Sequence, residues 1–382
     1  MITEGIKENI SMKENKLLAL ENKEDGNVLF ILPQNNITTY LNYSFPILAF
    51  YWNEKKRLWF MEHFTQIYAM QSKEGYLWVD YLEAPAFYDD VLDAEIMKSD
   101  DMEHVDDVVS FIKNAVDQEK YTMVFVDKYF LEGRRQFNVE HHSLQIFIYG
   151  YDDRKQEFHL MGFYRDGSFG RLSISYNEFR RAFSSCLENS EQFEVFVKDY
   201  CCVHLKVKDS NIRYQYNYHN FLNSLRAYIE GAGQKEQLRP DILIERGADA
   251  LYGIDSCSMV LSSMKLMQEG KYSMDYRQIH LLSEHKLAMI KKMKLMAEDL
   301  SLTQKVQSSI VEYEEVVKAF QWLKSTYAKQ ALKDTKYRSI YGKLKDKEVI
   351  GHMMQVLGAQ KEKEKVILND YYKKIMSECK EY

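Results

Sequence analysis

A chain of 382 residues with 46% hydrophobic and 14% aromatic content is long enough for two packed domains and too apolar to be disordered. The net charge of −6 is mild, and Lys and Arg are spread along the chain, which excludes the basic footprint of a nucleic-acid binder. No apolar run reaches the length of a bilayer span, and the charged start MITEGIKENISMKENK lacks a signal core, so a cytoplasmic protein is expected.

In chain order, residues 1–26 form a polar start, and Val28–Leu32 reads as an extended arm ending at Pro33. Leu41, Phe45, Leu48 and Trp52 recur at helical spacing between Ile37 and Trp52, although Pro46 intrudes. Leu58–Met70 reads as a strand followed by a helix, and Gly75–Tyr88 is ambiguous. Val105, Val108, Val109, Ile112 and Val116 mark a helix over His104–Gln118, with Asp106 and Asp107 in its first turn. A strand follows at Thr122–Asp127.

Leu144, Ile146 and Ile148 then alternate with Gln145, Phe147 and Tyr149, and Gly150-Tyr151-Asp152-Asp153 reads as a turn. Phe158, Leu160 and Gly162 make a second strand, Arg165-Asp166-Gly167-Ser168 a second turn, and Leu172–Ile174 a third strand. Ser175 and Glu178 form a capping box that opens a helix through Phe179 and Phe183. A strand at Cys202–Val207 and a turn at Ser210-Asn211 close this region.

Beyond residue 212 helical periodicity replaces the strand pattern. One stripe runs through Leu282, His285, Met289, Met293, Met296 and Leu300, and a near-heptad one through Val306, Ile310, Tyr313, Val317 and Phe320. The second leaves room for a homodimer. A last stretch through Val349, Met353, Val356, Ile367, Tyr371 and Ile375 completes a bundle, with loops at Glu230-Gly231-Ala232-Gly233 and Glu269-Gly270-Lys271. The expected organisation is a polar segment 1–26, an α+β domain 27–211 and a helical domain 212–382.

The order IYGYDD, strand, ISYNEF, preceded by Val124–Leu131, resembles the core hairpin of papain-like cysteine enzymes. More narrowly it resembles the butirosin biosynthesis protein H group, whose N-terminal domains are similar to bacteriocin-processing peptidases. Leu251-Tyr252-Gly253-Ile254-Asp255, Gln278-Ile279-His280 and Glu284-His285-Lys286 are similar to the start of the helical half of those proteins. The resemblance implies a central helix packed on an antiparallel sheet, then an all-helical domain. It also implies, for active members, transfer of an acyl group from an acyl carrier protein through a cysteine thioester.

That chemistry needs a thiol at the start of the central helix, a histidine on the facing strand, an orienting acid and an oxyanion donor. In the family pattern the donor is a Gln about six residues before the Cys. Gln34 fits, but the thiol position then holds Tyr40, and no cysteine precedes Cys186. The histidine slot falls at Leu144, with His142 two residues earlier, and the acid slot falls near Gly162. Gln34, Tyr40, His142, Leu144 and Gly162 therefore outline a vestigial cleft. The alternative is a displaced hydroxyl nucleophile, Thr39 or Ser44, served by His142.

Other candidates read as structural. The five cysteines, Cys186, Cys201, Cys202, Cys257 and Cys379, are odd in number and irregularly spaced, and Cys201-Cys202 sits in a strand that buries one member. His285 lacks a second ligand at metal-binding spacing, and the Met run is core filling. His141 reads as a solvent-facing strand residue. Tyr214, Tyr216 and Tyr218 could offer a partner surface. No metal and no cofactor are expected. The favoured function is a catalytically degenerate relative of butirosin-type acyltransferases, a binding or accessory protein in specialised-metabolite or peptide biosynthesis whose partner is an acyl carrier protein or a biosynthetic enzyme. The alternative is an active acyltransferase or amide hydrolase.

Overall fold

The computed structural model describes residues 25–32, 37–71, 77–82, 88–132, 134, 136–163, 169–193, 195–209, 212–233, 250–272, 275–333 and 346–378. Its strands are β1 (Gly26–Val28), β2 (Ile67–Gln71), β3 (Leu77–Tyr81), β4 (Leu92–Met97), β5 (Tyr121–Asp127), β6 (Ser143–Asp152), β7 (Glu157–Phe163), β8 (Phe169–Ser175), β9 (Cys202–Val207) and β10 (Ala250–Tyr252). Its principal helices are α1 (Leu41–Phe50), α2 (Glu54–Glu62), α3 (Val108–Asp117), α4 (Tyr176–Glu188) and α5 (Tyr218–Glu230). The remaining ones are α6 (Ser256–Gln268), α7 (Tyr276–Asp299), α8 (Thr303–Lys333) and α9 (Lys347–Glu378). The fold is α+β, with antiparallel sheets and a helical C-terminal region. None of the described helices is long and apolar enough to cross a membrane.

The chain divides into two compact units. One contains the described residues within 1–34, 40–57 and 85–214, and the other those within 35–39, 58–84 and 215–382. The second unit is thus discontinuous, because it takes in β2 and β3 from the stretch that the sequence assigns to the N-terminal domain.

In the first unit the strands run β4-β9-β5-β6-β7-β8 in one sheet, with β1 added beside β6, and every pairing is antiparallel. One face is aliphatic: Val124, Val126, Ile146, Ile148, Phe158, Leu160 and Ile174 pack with Val109 and Ile112 of α3 and Phe179 and Phe183 of α4. The other face is aromatic. There Phe147 stacks on Tyr121 at 5.5 Å and on Phe45 of α1 at 5.4 Å, and Phe45 also faces Phe169. Pro46 lies inside α1, where it removes the donor that the Asn42 carbonyl would otherwise receive.

The helix starts obey local chemistry. Asp107 caps α3 through Val109 N at 3.2 Å, and Ser175 caps α4 through Glu178 N at 3.2 Å. The β6–β7 connection is shifted from its expected place. Gly150 stays in the ladder next to a bulge, β6 continues to Asp152, and the turn occupies residues 153–156. Gly150 is needed for a different reason: a Cβ there would stand 2.9 Å from Asn27 O and 3.0 Å from Val28 Cα of β1. The turn at residues 165–168 and Ser210-Asn211 lie outside the described residues. Strand β4, paired along its whole length with β9, has no counterpart in the expected elements.

In the second unit β10, β2 and β3 form a small antiparallel sheet in which Leu251 pairs with Ala69 and Ala69 with Val79. Two expectations are corrected here. Between residues 58 and 70 the helix comes before the strand, and a strand, β10, does occur beyond residue 212. The four helices α6 to α9 pack in sequence-distant pairs as well as adjacent ones. The near-heptad stripe of α8 is buried within its own unit, so it is not a free dimer seam.

At the centre of these helices Lys286 Nζ and Glu364 Oε1 are 3.0 Å apart with both side chains fully buried. Tyr313 OH and Tyr228 OH donate to the same oxygen at 2.8 and 3.2 Å, so α5, α7, α8 and α9 meet at one polar point. His285 is a satisfied core histidine: its Nε2 lies 2.7 Å from Thr65 O, and burial pushes its pKa well below the usual value.

Candidate functional site

At one end of the large sheet the segment 128–142 leaves β5 and returns to β6. Asp127, the last residue of β5, is fully buried and gathers both ends of this segment. Its Oδ1 accepts from Tyr129 N at 3.0 Å and His142 N at 3.1 Å; its Oδ2 accepts from Ser185 Oγ of α4 at 2.8 Å and lies 2.5 Å from His141 Nδ1. Burial alone would raise the carboxyl, but the bonds from His141, Tyr129 N, Ser185 and His142 N outweigh it and hold the pKa below the usual value. The His141 ring stacks on Tyr129 at 4.3 Å, and its side chain is half exposed. Sequence reasoning missed this partnership. Its cause is the register, which pairs Asp127 with Ser143, the residue directly after the two histidines.

The segment anchored in this way covers a cavity of about 210 Å³ on the aliphatic face of the sheet. Its walls are Leu131 from the segment, Ile146 of β6, Leu160 of β7 and Leu172 and Ile174 of β8; Arg134, Glu132 and Glu178 bring charge to it. Arg134 is half-buried and donates through Nη1 to Phe163 O. Glu178, at the start of α4, accepts from Glu132 N at 2.7 Å through Oε1. Burial raises the Glu178 carboxyl above its ordinary value. The nearby charge of Glu132 adds to this, while the Glu132 N–H, Arg134 and Arg181 oppose it. No hydrogen bond or ion pair joins Arg134 to Glu178 among the described residues.

Several expected cleft residues fall apart in space. Tyr40 is the residue before the first turn of α1, buried, with its ring 6.1 Å from that of Tyr43. Leu144 packs with the aliphatic cluster, and Gly162 faces the Leu172 and Arg134 side chains, so both lie on the sheet face opposite to the one that α1 covers. The reason is strand parity: Leu144 shares its face with Ile146 and Ile148, whereas Phe147 meets α1. Gln34 lies outside the described residues.

Of the alternative hydroxyl set, Ser44 is fully buried and its Oγ has no hydrogen-bond partner among the described residues. His142 is exposed, with Nδ1 2.8 Å from Ser143 O, so it does not serve Ser44. Thr39, in the second unit, donates its hydroxyl to Glu284 Oε2 at 2.6 Å. The same carboxylate accepts from Thr39 N, Thr38 N and Thr38 Oγ1, and His280 Nε2 lies 2.8 Å from its Oε1. This is a clasp on residues 38–39: both hydroxyls donate to the carboxylate, and His280 Nε2 lies 2.9 Å from Thr38 Oγ1 as well as beside Glu284.

The four described cysteines are free and buried. Burial pushes the thiols upward, to about 12 at Cys201 and about 11 at Cys257, and raises those of Cys186 and Cys202 too. None has the thiolate character of a nucleophile at neutral pH. Cys379 lies outside the described residues. Tyr214, Tyr216 and Tyr218 are half-buried rather than displayed. Among the described residues no group of three or more His, Cys, Asp or Glu side chains is placed to hold a metal ion.

No protein-family model matches this sequence, and no curated protein does. Fold and site together define an α+β protein with a separate helical region and a small, apolar-walled, charge-edged cavity beside its principal sheet.

Proposed function

We propose that this protein is a catalytically silent relative of the butirosin-type acyltransferases, retaining a papain-like arrangement of helix and sheet and acting as a binding or accessory protein in biosynthesis. The observation that carries this is the residue at the head of α1: Tyr40 is buried there, at the position to which the resemblance assigns the thiol. One other supports it: the described thiols are held protonated by burial.

A silent protein can still hold a substrate or an acylated partner, because binding needs shape and polar complementarity but no nucleophile. Incubating the full chain with an acylated carrier protein and measuring its intact mass should show no added acyl group. A covalent adduct that disappears in Thr39→Ala or Ser44→Ala would overturn the proposal and establish a displaced hydroxyl nucleophile instead.

A further inference from the structure

We propose that the cavity beneath segment 128–142 binds a free apolar α-amino acid of leucine or phenylalanine size. The inference does not depend on the acyltransferase resemblance. A dry engineered cavity of about 150 Å³ admits benzene. A cavity of about 210 Å³ walled by Leu131, Ile146, Leu160, Leu172 and Ile174 has room for an isobutyl or benzyl group plus the polar atoms that carry it.

The charged groups select the head group. Arg134 has Nη1 committed to Phe163 O, while Nη2 and Nε have no protein acceptor among the described residues. A guanidinium edge of this kind matches a carboxylate through two parallel hydrogen bonds. Glu178 has Oε1 committed to Glu132 N, and its second oxygen has no protein donor among the described residues. That oxygen suits an ammonium group.

Opposite charges that edge one cavity without pairing are what a zwitterion requires. Glu132 and Arg181, the next charges around Glu178, offset each other, so the mouth as a whole favours neither a simple acid nor a simple amine.

The test is calorimetric titration of the full chain with L-leucine and L-phenylalanine. The comparison probes are N-acetyl-L-leucine and 4-methylpentanoate, which lack the ammonium, and isopentylamine, which lacks the carboxylate. The expected result is saturable binding of at least one amino acid, with each truncated probe at least about tenfold weaker. Arg134→Met and Glu178→Gln should each weaken the amino acid by about tenfold or more, and Leu172→Trp should abolish binding by filling the cavity. Circular dichroism and the unfolding midpoint establish that each variant is folded, and Arg134→Met decides the matter if Leu172→Trp is not. Absence of saturable heat with both amino acids, equal binding of a truncated probe, or unchanged affinity in folded Arg134→Met would each overturn the proposal. Amino-acid binding together with a mass adduct would sink the preceding proposal and keep this one, and absence of both would sink this one and keep the preceding proposal.

Discussion

Asp127 in the first unit and Glu364 in the second are both shut away from solvent, and they are stabilised by opposite means. Asp127 is surrounded by donors of a single short segment and its neighbour α4, two of them backbone N–H groups, with the half-exposed His141 imidazole beside it. Glu364 faces a lysine that is itself fully buried, along with two tyrosine hydroxyls, and among the described residues no backbone donor. A carboxylate fed by main-chain donors fixes the course of a loop. One fed by a buried cation fixes which helices meet, and it makes each member of the pair dependent on the other.

The largest effect should therefore come from breaking the helical pair. Lys286→Met leaves Glu364 uncompensated and should cost roughly 3–5 kcal/mol in urea unfolding. The double variant Lys286→Met/Glu364→Leu should recover much of that loss; if it does not, the pair is not the source.

Asp127→Asn should cost less, about 1–3 kcal/mol, as donors from segment 128–142 and Ser185 lose their acceptor. Its pH dependence is a sharper check. The Asp127 carboxyl is held below its ordinary value of 3.8, so the stability it lends is intact above that pH and lost as pH falls through the lower folded value. Unfolding curves of Asp127→Asn should lack this acid limb.

His204 provides a contrast at milder pH. Burial drops it from 6.5 to about 4, its Nδ1 is 3.0 Å from Thr122 Oγ1, and its ring faces Phe111. The folded state resists its protonation, so the stability tied to the neutral ring is present above pH 6.5 and falls progressively down to about pH 4. His204→Gln should flatten stability across that window. The smallest effect is expected at the second unit's other shared carboxylate: Thr39→Val removes one donor from Glu284 and should cost about 1 kcal/mol by denaturant midpoint, since the backbone N–H of Thr39 and both donors of Thr38 remain.

What the sequence reveals and what it conceals follow from range. The β6–β7–β8 run, the Ser175 cap and the glycine that ends α5 are local patterns, and Gly231 adopts the left-handed φ of 64° that a helix C-terminus favours. The clasp of Glu284 on Thr38, across 246 residues, and the pairing of β10 with β2 have no local trace. Parity errors are subtler. Counting back from Gly150 reaches Leu144, but a count along a strand does not say which face meets a helix, and the structure places α1 against Phe147. His141 was legible only as a polar residue near a strand; its role depends on Asp127, which lies across the ladder from Ser143.

Gly150 has a consequence for solubility. Among the described residues strand β5 pairs with β6 as far as Ile148, and Gly150 to Asp152 are paired on that side with β1. A bulkier residue at 150 would push those three residues of β1 away and leave an open edge, to which a strand of another molecule could add.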